Sequence, residues 1–150
     1  MLAFLGGTGP EGLGLALRFA FAGEEIIIGS RDAMRAKDAA KSLRNRVPGA
    51  AISGDVNEVA AEHGDTVFVT VPYEAQKPLL KSVAGYLKGK VVVDTVAPLT
   101  FIKGKVMAPL VEEGSAAMQA QQLLPESNVV AAFQNLSSAE LNASDRVMQG

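Results

Sequence analysis

Short apolar runs and helix-spaced apolar stripes alternate along this chain. Leu2-Ala3-Phe4-Leu5 has the length and character of a strand. Behind it Leu13, Ala16, Leu17 and Ala20 recur at i, i+3, i+4 and i+7, the stripe of an amphipathic helix, which Gly23 ends. Glu25-Ile26-Ile27-Ile28 reads as the next strand, followed by a helix that Asp32 caps and that stops before Pro48-Gly49. Ala50-Ala51-Ile52-Ser53 reads as a weak third strand, and Asp55 to His63 as a short helix closed by Gly64. Thr66-Val67-Phe68-Val69-Thr70-Val71 is the strongest strand, β-branched and nearly all apolar, and is expected mid-sheet with both faces covered.

Pro72-Tyr73 breaks that strand, and a helix is expected from about Glu74 to Leu87. Val91 to Thr95 makes a fifth strand, Ser115 to Leu124 a helix, and Asn128 to Phe133 a sixth strand. Between the last two strands, Leu99 to Gly114 is interrupted by Gly, Pro and Lys and is expected to be the most mobile stretch. Strict alternation of strand and helix predicts an α/β fold, a doubly wound parallel sheet of the Rossmann-like NAD(P)-binding kind. Sites in such folds gather at the carboxyl ends of the strands. That rule places Thr8, Ser30, Val71-Pro72-Tyr73, Val96-Ala97-Pro98 and Gln134-Asn135 around one crevice.

The first of those strand ends carries the most specific chemistry. Gly7-Thr8-Gly9-Pro10-Glu11-Gly12 follows directly on the first strand and opens the first helix, the context that gives a dinucleotide fingerprint its meaning. Gly7 permits the tight turn, Gly9 has no Cβ to hold a pyrophosphate away from the backbone, and Gly12 lets the helix lie close on the sheet. Free N–H groups and the positive end of the helix dipole then face the anion. Pro10 suits the first helical turn, where its missing N–H costs nothing.

The second strand end selects the nucleotide. An NAD site places an Asp or Glu about 20 residues past the glycines to accept from the ribose 2′-OH. Here Gly29-Ser30-Arg31 stands there instead, with Arg35 one helical turn beyond. A hydroxyl and a permanently charged planar fork suit a 2′-phosphate, so NADP is favoured over NAD. Lys41, Arg44 and Arg46 farther along that helix read as its solvated face. Tyr73 has two readings, covering the cofactor or filling the sheet edge. His63, at the far end of a helix before a Gly-Asp turn, reads as a surface residue.

Composition narrows the remaining chemistry. A length of 150 residues fits one domain with a real core, and a net charge of −2 gives no general attraction to nucleic acid or to an anionic membrane. Absence of cysteine excludes disulfides, iron–sulfur clusters and thiolate nucleophiles. With His63 as the single histidine, His/Cys zinc sites and His-based triads are excluded within one chain. No apolar run approaches the ~18 residues of a membrane span, and the start lacks the basic segment of a signal peptide, so a cytoplasmic location is expected. Tyr73 and Lys77 have the spacing of a short-chain dehydrogenase pair, but they follow the wrong strand.

Taken together, these segments resemble the NADPH-dependent coenzyme F420 reductases (F420H2:NADP oxidoreductases). Leu5-Gly6-Gly7-Thr8-Gly9 joined to Gly29-Ser30-Arg31 carries the most specific part. Thr70 to Glu74, Asp94 to Pro98 and Val129 to Asn135 extend the match over essentially the whole chain. The resemblance implies that Thr8, Gly9, Pro10 and Glu11 lie along the pyrophosphate and adjoining ribose. It puts Ser30, Arg31 and Arg35 on the 2′-phosphate, and Val71, Ala75, Val96 and Ala97 beside the nicotinamide, which Asn135 approaches from the sixth strand. NADP(H) is then the cofactor and coenzyme F420, or a related flavin-like acceptor, the co-substrate. Glu11 departs from expectation by setting a negative charge beside the pyrophosphate.

In that family a smaller carboxyl-terminal region helps form the deazaflavin cleft, and this chain stops where that region would begin. Residues 1–150 are therefore expected to be one NADP-binding Rossmann domain without it, with an exposed apolar face that leaves homo-oligomer formation open. Hydride transfer between two redox rings needs no catalytic His or Cys, since both rings carry their own chemistry. Two other readings stay open. One is the amino-terminal domain of another NADP dehydrogenase, of the imine-reducing or hydroxyacid type. The other is a non-enzymatic NADP-binding module.

Overall fold

The computed structural model describes residues 1–102 and 104–143. Six strands form one all-parallel sheet: β1 (Leu2–Leu5), β2 (Ile26–Ser30), β3 (Ile52–Val56), β4 (Thr66–Val69), β5 (Val91–Asp94) and, after a hairpin, β8 (Asn128–Ala131). Their order is β3-β2-β1-β4-β5-β8. The chain thus winds outward from β1 to β3, then returns to the other side of β1 through β4. In register, Phe4 on β1 pairs with Ile28 on β2 and with Phe68 on β4. Strand order reverses between β1 and β4, and doubly wound sheets open their ligand crevice at that point.

Alternation along β1 divides the core in two. Ala3 and Leu5 face α3 (Asn57–His63), α4 (Tyr73–Val83) and α5 (Ala116–Leu123), packing with Ala60, Leu80, Val83 and Ala120. Phe4 points the other way, toward α1 (Pro10–Phe21), α2 (Ala33–Arg46) and α6 (Ser138–Asn142), among Leu15, Leu17, Leu43 and Leu141. There Phe4 and Phe68 stack with ring centroids 4.6 Å apart, and Phe19 tilts onto both. Central strands covered on both faces explain why β2 and β4 read as unbroken apolar runs.

Most helix boundaries follow local chemistry. Asp32 caps α2, its Oδ1 accepting from Met34 N at 2.8 Å and Arg35 N at 3.3 Å. Ser115 does the same for α5 through Met118 N. Some expected element bounds need correction. The third strand runs Ile52–Val56, not residues 50–53, because it pairs along the whole of β2 up to Ser30; α3 accordingly starts at Asn57, not Asp55. Within residues 99–114 the chain builds a hairpin, β6 (Thr100–Ile102) and β7 (Lys105–Met107), with Gly104 at φ +76° in its turn. The sixth strand of the sheet ends at Ala131, where Phe133 turns the chain at φ +70° and packs onto Phe68.

Candidate cofactor-binding site

A cleft of about 490 Å³ opens at the switch point, between the carboxyl ends of β1, β2 and β4. Its walls include Thr8 and Gly9 from the β1–α1 turn, Ser30 from β2, Arg31 and Arg35 at the start of α2, and Val71, Pro72 and Ala75 leading into α4. Eight of the sequence-predicted positions therefore meet in one space.

The three glycines of the fingerprint do three different jobs. A Cβ on Gly7 would lie 2.6 Å from the Phe4 carbonyl oxygen, so only glycine fits the turn. A Cβ on Gly12 would lie 2.7 Å from both Gly7 Cα and Thr70 Oγ1, so α1 sits directly on the turn and on the end of β4. A Cβ on Gly9 would meet nothing within 4 Å. Packing inside the protein does not require glycine there, and the open space lies on the cleft side. Gly9 is also the N-cap of α1 and has no side chain to bond the helix's first N–H groups, with Pro10 at the first helical position. Those donors and the helix dipole are left to an anion.

At the tip of β2, Ser30 is buried with its hydroxyl accepting from Asp32 N at 3.2 Å. Arg31 and Arg35 are exposed. Among the described residues the ion pairs are Met1–Asp65 and Lys88–Glu126, so neither cleft arginine has a carboxylate partner. Asp32, adjacent in sequence, is engaged with the α2 backbone. A donor hydroxyl and two uncommitted guanidinium groups fit a phosphate monoester. Open room at Gly9 and this donor set are chemically compatible with a 2′-phosphorylated dinucleotide.

The remaining predicted positions stand outside the cleft lining. Glu11 turns toward β5: burial pushes its carboxyl above the usual carboxylate range, and the Thr95 hydroxyl pulls it back. Tyr73 packs against the apolar cluster under α4, and its hydroxyl accepts from Gln119 Nε2 at 3.5 Å. Val96 is buried in the same cluster, Ala97 is half-buried and Asn135 is exposed. His63 is exposed, its Nδ1 at 2.9 Å from the Val59 carbonyl oxygen.

Beside the cleft, β5 ends in a buried polar knot. Gln76 Nε2 donates to Asp94 Oδ1 at 2.9 Å and to the Ala116 carbonyl at 3.3 Å. Thr95 and Thr70 hydroxyls donate to the Val69 and Leu5 carbonyls, both at 2.9 Å, tying the strand ends together. Burial pushes the Asp94 carboxyl up to about 6, the bonds from Gln76 and Val96 N only partly offsetting it. Asp94 Oδ2 and Gln76 Oε1 are buried acceptors with no donor among the described residues.

Sequence reasoning missed several wall residues. Ala75, Leu79 and Ser82 share one face of α4 at helical spacing, so the pattern could have extended the wall past Ala75. Asn57 and Glu58, at the start of α3, also line the cleft, and nothing local marks them. Among the described residues, no group of three or more His, Cys, Asp or Glu could hold a metal, and no helix is long and apolar enough to cross a membrane.

Residues 1–98 match the family model described as NADP oxidoreductase coenzyme F420-dependent. A protein of Methanothermobacter marburgensis named F420-dependent NADP reductase is 42% identical over 146 residues, 93% of this chain and 65% of that protein. The protein of the same name from Methanocaldococcus jannaschii is 41% identical, over 96% of this chain and 67% of its own length. Among solved structures, an F420-dependent NADP-reductase from Arthrobacter sp. FB24 superposes with a TM-score of 0.78 at 25% identity, over 92% of this chain and 64% of that one. An imine reductase of Streptomyces aurantiacus, at 21% identity and a TM-score of 0.58, shares the fold. The chain thus spans about 65% of the length of the Marburg relative.

Proposed function

This chain belongs to the coenzyme F420-dependent NADP oxidoreductase family, and from that premise we propose that it binds NADP(H) and passes a hydride between it and coenzyme F420 or a related flavin-like acceptor. The observation that carries the reading is the union, in one cleft, of an uncapped helix start at Gly9 with Ser30, Arg31 and Arg35. Thr8, Gly9 and the first turn of α1, with Pro10 and Glu11, take the pyrophosphate and adjoining ribose. Ser30, Arg31 and Arg35 take the 2′-phosphate. Gly7 and Gly12 hold the turn in shape, and Val71, Pro72 and Ala75 form the apolar wall leading to the nicotinamide. Tyr73, Val96, Ala97 and Asn135 border that end.

The bound nicotinamide supplies the hydride chemistry itself. The protein's part is to hold the ring, keep water away and present one face to the acceptor. Residues 1–150 act as one NADP-binding Rossmann domain in the cytoplasm, with small molecules and neither nucleic acid nor membrane as partners, and with self-association open to the chain. Titration with NADPH and NADH, followed by oxidised coenzyme F420 added to the NADPH complex, tests the whole reading. Preferential NADPH binding with bleaching of the deazaflavin absorbance is the expected result. Binding without bleaching would leave a cofactor-binding module, and binding of neither nucleotide would reject the site.

A further inference from the structure

The β1–α1 turn is held from outside by a side chain 51 residues away. Gly6 N donates to Asn57 Oδ1 at 3.0 Å. Asn57 is 4% exposed, stands at the first position of α3, and reaches the turn across the end of β2. Room for that reach comes from Gly29: a Cβ there would lie 2.8 Å from Asn57 Oδ1 and 3.1 Å from Ala60 Cβ. On its other side Gly6 adopts φ +66°, with Val71 Cγ1 where a Cβ would stand. Gly6 is therefore clamped between the Asn57 amide and the Val71 side chain. Both clamps, and Gly6 itself, line the cleft.

Two consequences follow from the chemistry. A backbone N–H in a turn left without a partner swings toward water or toward any anion within reach, so an unheld turn samples several shapes. Fixing Gly6 by a neutral amide oxygen leaves Thr8, Gly9 and the first N–H groups of α1 aimed outward, with their order established before a ligand arrives. The glycine of the Gly29-Ser30-Arg31 segment also gains a reason of its own: it is the slot through which Asn57 passes.

Resting on the proposed NADP reading, we infer that Asn57 is a positioning residue that pre-sets the pyrophosphate turn through Gly6, and that it takes no part in holding the 2′-phosphate end. Two probes separate these roles. NADPH needs both the turn and the β2 tip, whereas adenosine 2′-monophosphate needs the β2 tip alone. Asn57→Leu removes the acceptor while filling the same space. It is expected to weaken NADPH about tenfold, the scale of one lost hydrogen bond with its partner stranded, and to leave adenosine 2′-monophosphate within about twofold, inside the scatter of a site untouched by the change. Asn57→Asp keeps Oδ1 in place; in about 0.5 M salt, which screens the added charge, it is expected to bind NADPH more tightly than Asn57→Leu does.

Equal weakening of both probes, or no weakening of either, would overturn the inference, and so would an Asn57→Asp protein no better than Asn57→Leu. Should Asn57→Leu fail to fold, the Asn57→Asp comparison with the unaltered protein decides alone: a loss of tenfold or more for NADPH in high salt would count against the role. An unaltered protein that binds neither probe would reject the nucleotide site itself, a result distinct from any of these.

Discussion

The tips of β2 and β5 flank the same sheet edge and are built on opposite terms. At β2, Arg31 and Arg35 stand exposed without carboxylate partners among the described residues. At β5, Asp94 and Gln76 are fully buried and direct their hydrogen bonds to each other and to the backbone of neighbouring elements. One tip presents its guanidinium donors to the cleft; the other uses its donors to fasten the scaffold beside it. Polar side chains thus take different roles according to whether the fold exposes or buries them.

The largest expected effect comes from the contact between α1 and the turn that lies between the two tips. Gly12→Ala puts a methyl 2.7 Å from Gly7 Cα and Thr70 Oγ1, and backbone on one side of it cannot yield. We expect a loss of about 3 kcal/mol or more in unfolding free energy, at the upper end of overpacking costs, together with loss of nucleotide binding. Chemical denaturation measures the first. A variant as stable as the parent would show that α1 can lift from the turn.

The scaffold tip has its own signature in pH. Burial pushes the Asp94 carboxyl up to about 6, from an ordinary value of 3.8. With its folded pKa raised, the folded state binds the proton more tightly than the unfolded one. Stability contributed by the protonated form is therefore complete below about 4, is lost as pH rises toward 6, and changes no further above that. The two buried acceptors without a donor among the described residues favour the same form, since a protonated carboxyl brings a donor. Asp94→Asn keeps the shape and cannot ionise. Between pH 4 and 7 the parent should lose up to about 3 kcal/mol more than the variant; parallel stability curves would reject the assignment.

At the binding tip, Arg31→Ala removes one of two uncommitted cations. NADPH affinity should fall by about 2 kcal/mol, with NADH barely changed, as for a lost charge-assisted contact. Equal losses for both would reject the 2′-phosphate role. Thermal stability should stay the same, because no side-chain bond of Arg31 to the described residues is broken.

How far each tip could be read from the sequence follows from the same difference. Gly9, Ser30 and Arg31 are local signals, adjacent to the elements that position them, and they line the cleft, with Gly7 and Gly12 packed behind it. The α/β class was legible too, since each apolar run became a strand of the parallel sheet. What escaped depends on partners far along the chain. Asn57 gains its role from Gly6, and β3 its full length from β2. Five-residue α6 is too short to show a period; it is fastened by Leu141 packing on Gly14 and by Arg18 donating to the Leu141 carbonyl at 2.9 Å. Strand β7 shows no inward-facing alternation, since it is exposed throughout.

The smallest expected change is the most discriminating. Gly9 resembles Gly7 and Gly12 in sequence but not in surroundings, for its missing Cβ faces open space. Its backbone at φ −81° and ψ 167° is ordinary extended geometry that alanine adopts freely. Gly9→Ala should therefore leave stability within about 0.5 kcal/mol, unlike its neighbours. If a pyrophosphate does approach that backbone, the added methyl stands in its path, and NADPH and NADH should both weaken by about 1.4 kcal/mol, or tenfold. Adenosine 2′-monophosphate, held at the β2 tip, should bind unchanged. A Gly9→Ala protein that folds normally and binds both dinucleotides normally would place the pyrophosphate elsewhere, whatever the arginines hold.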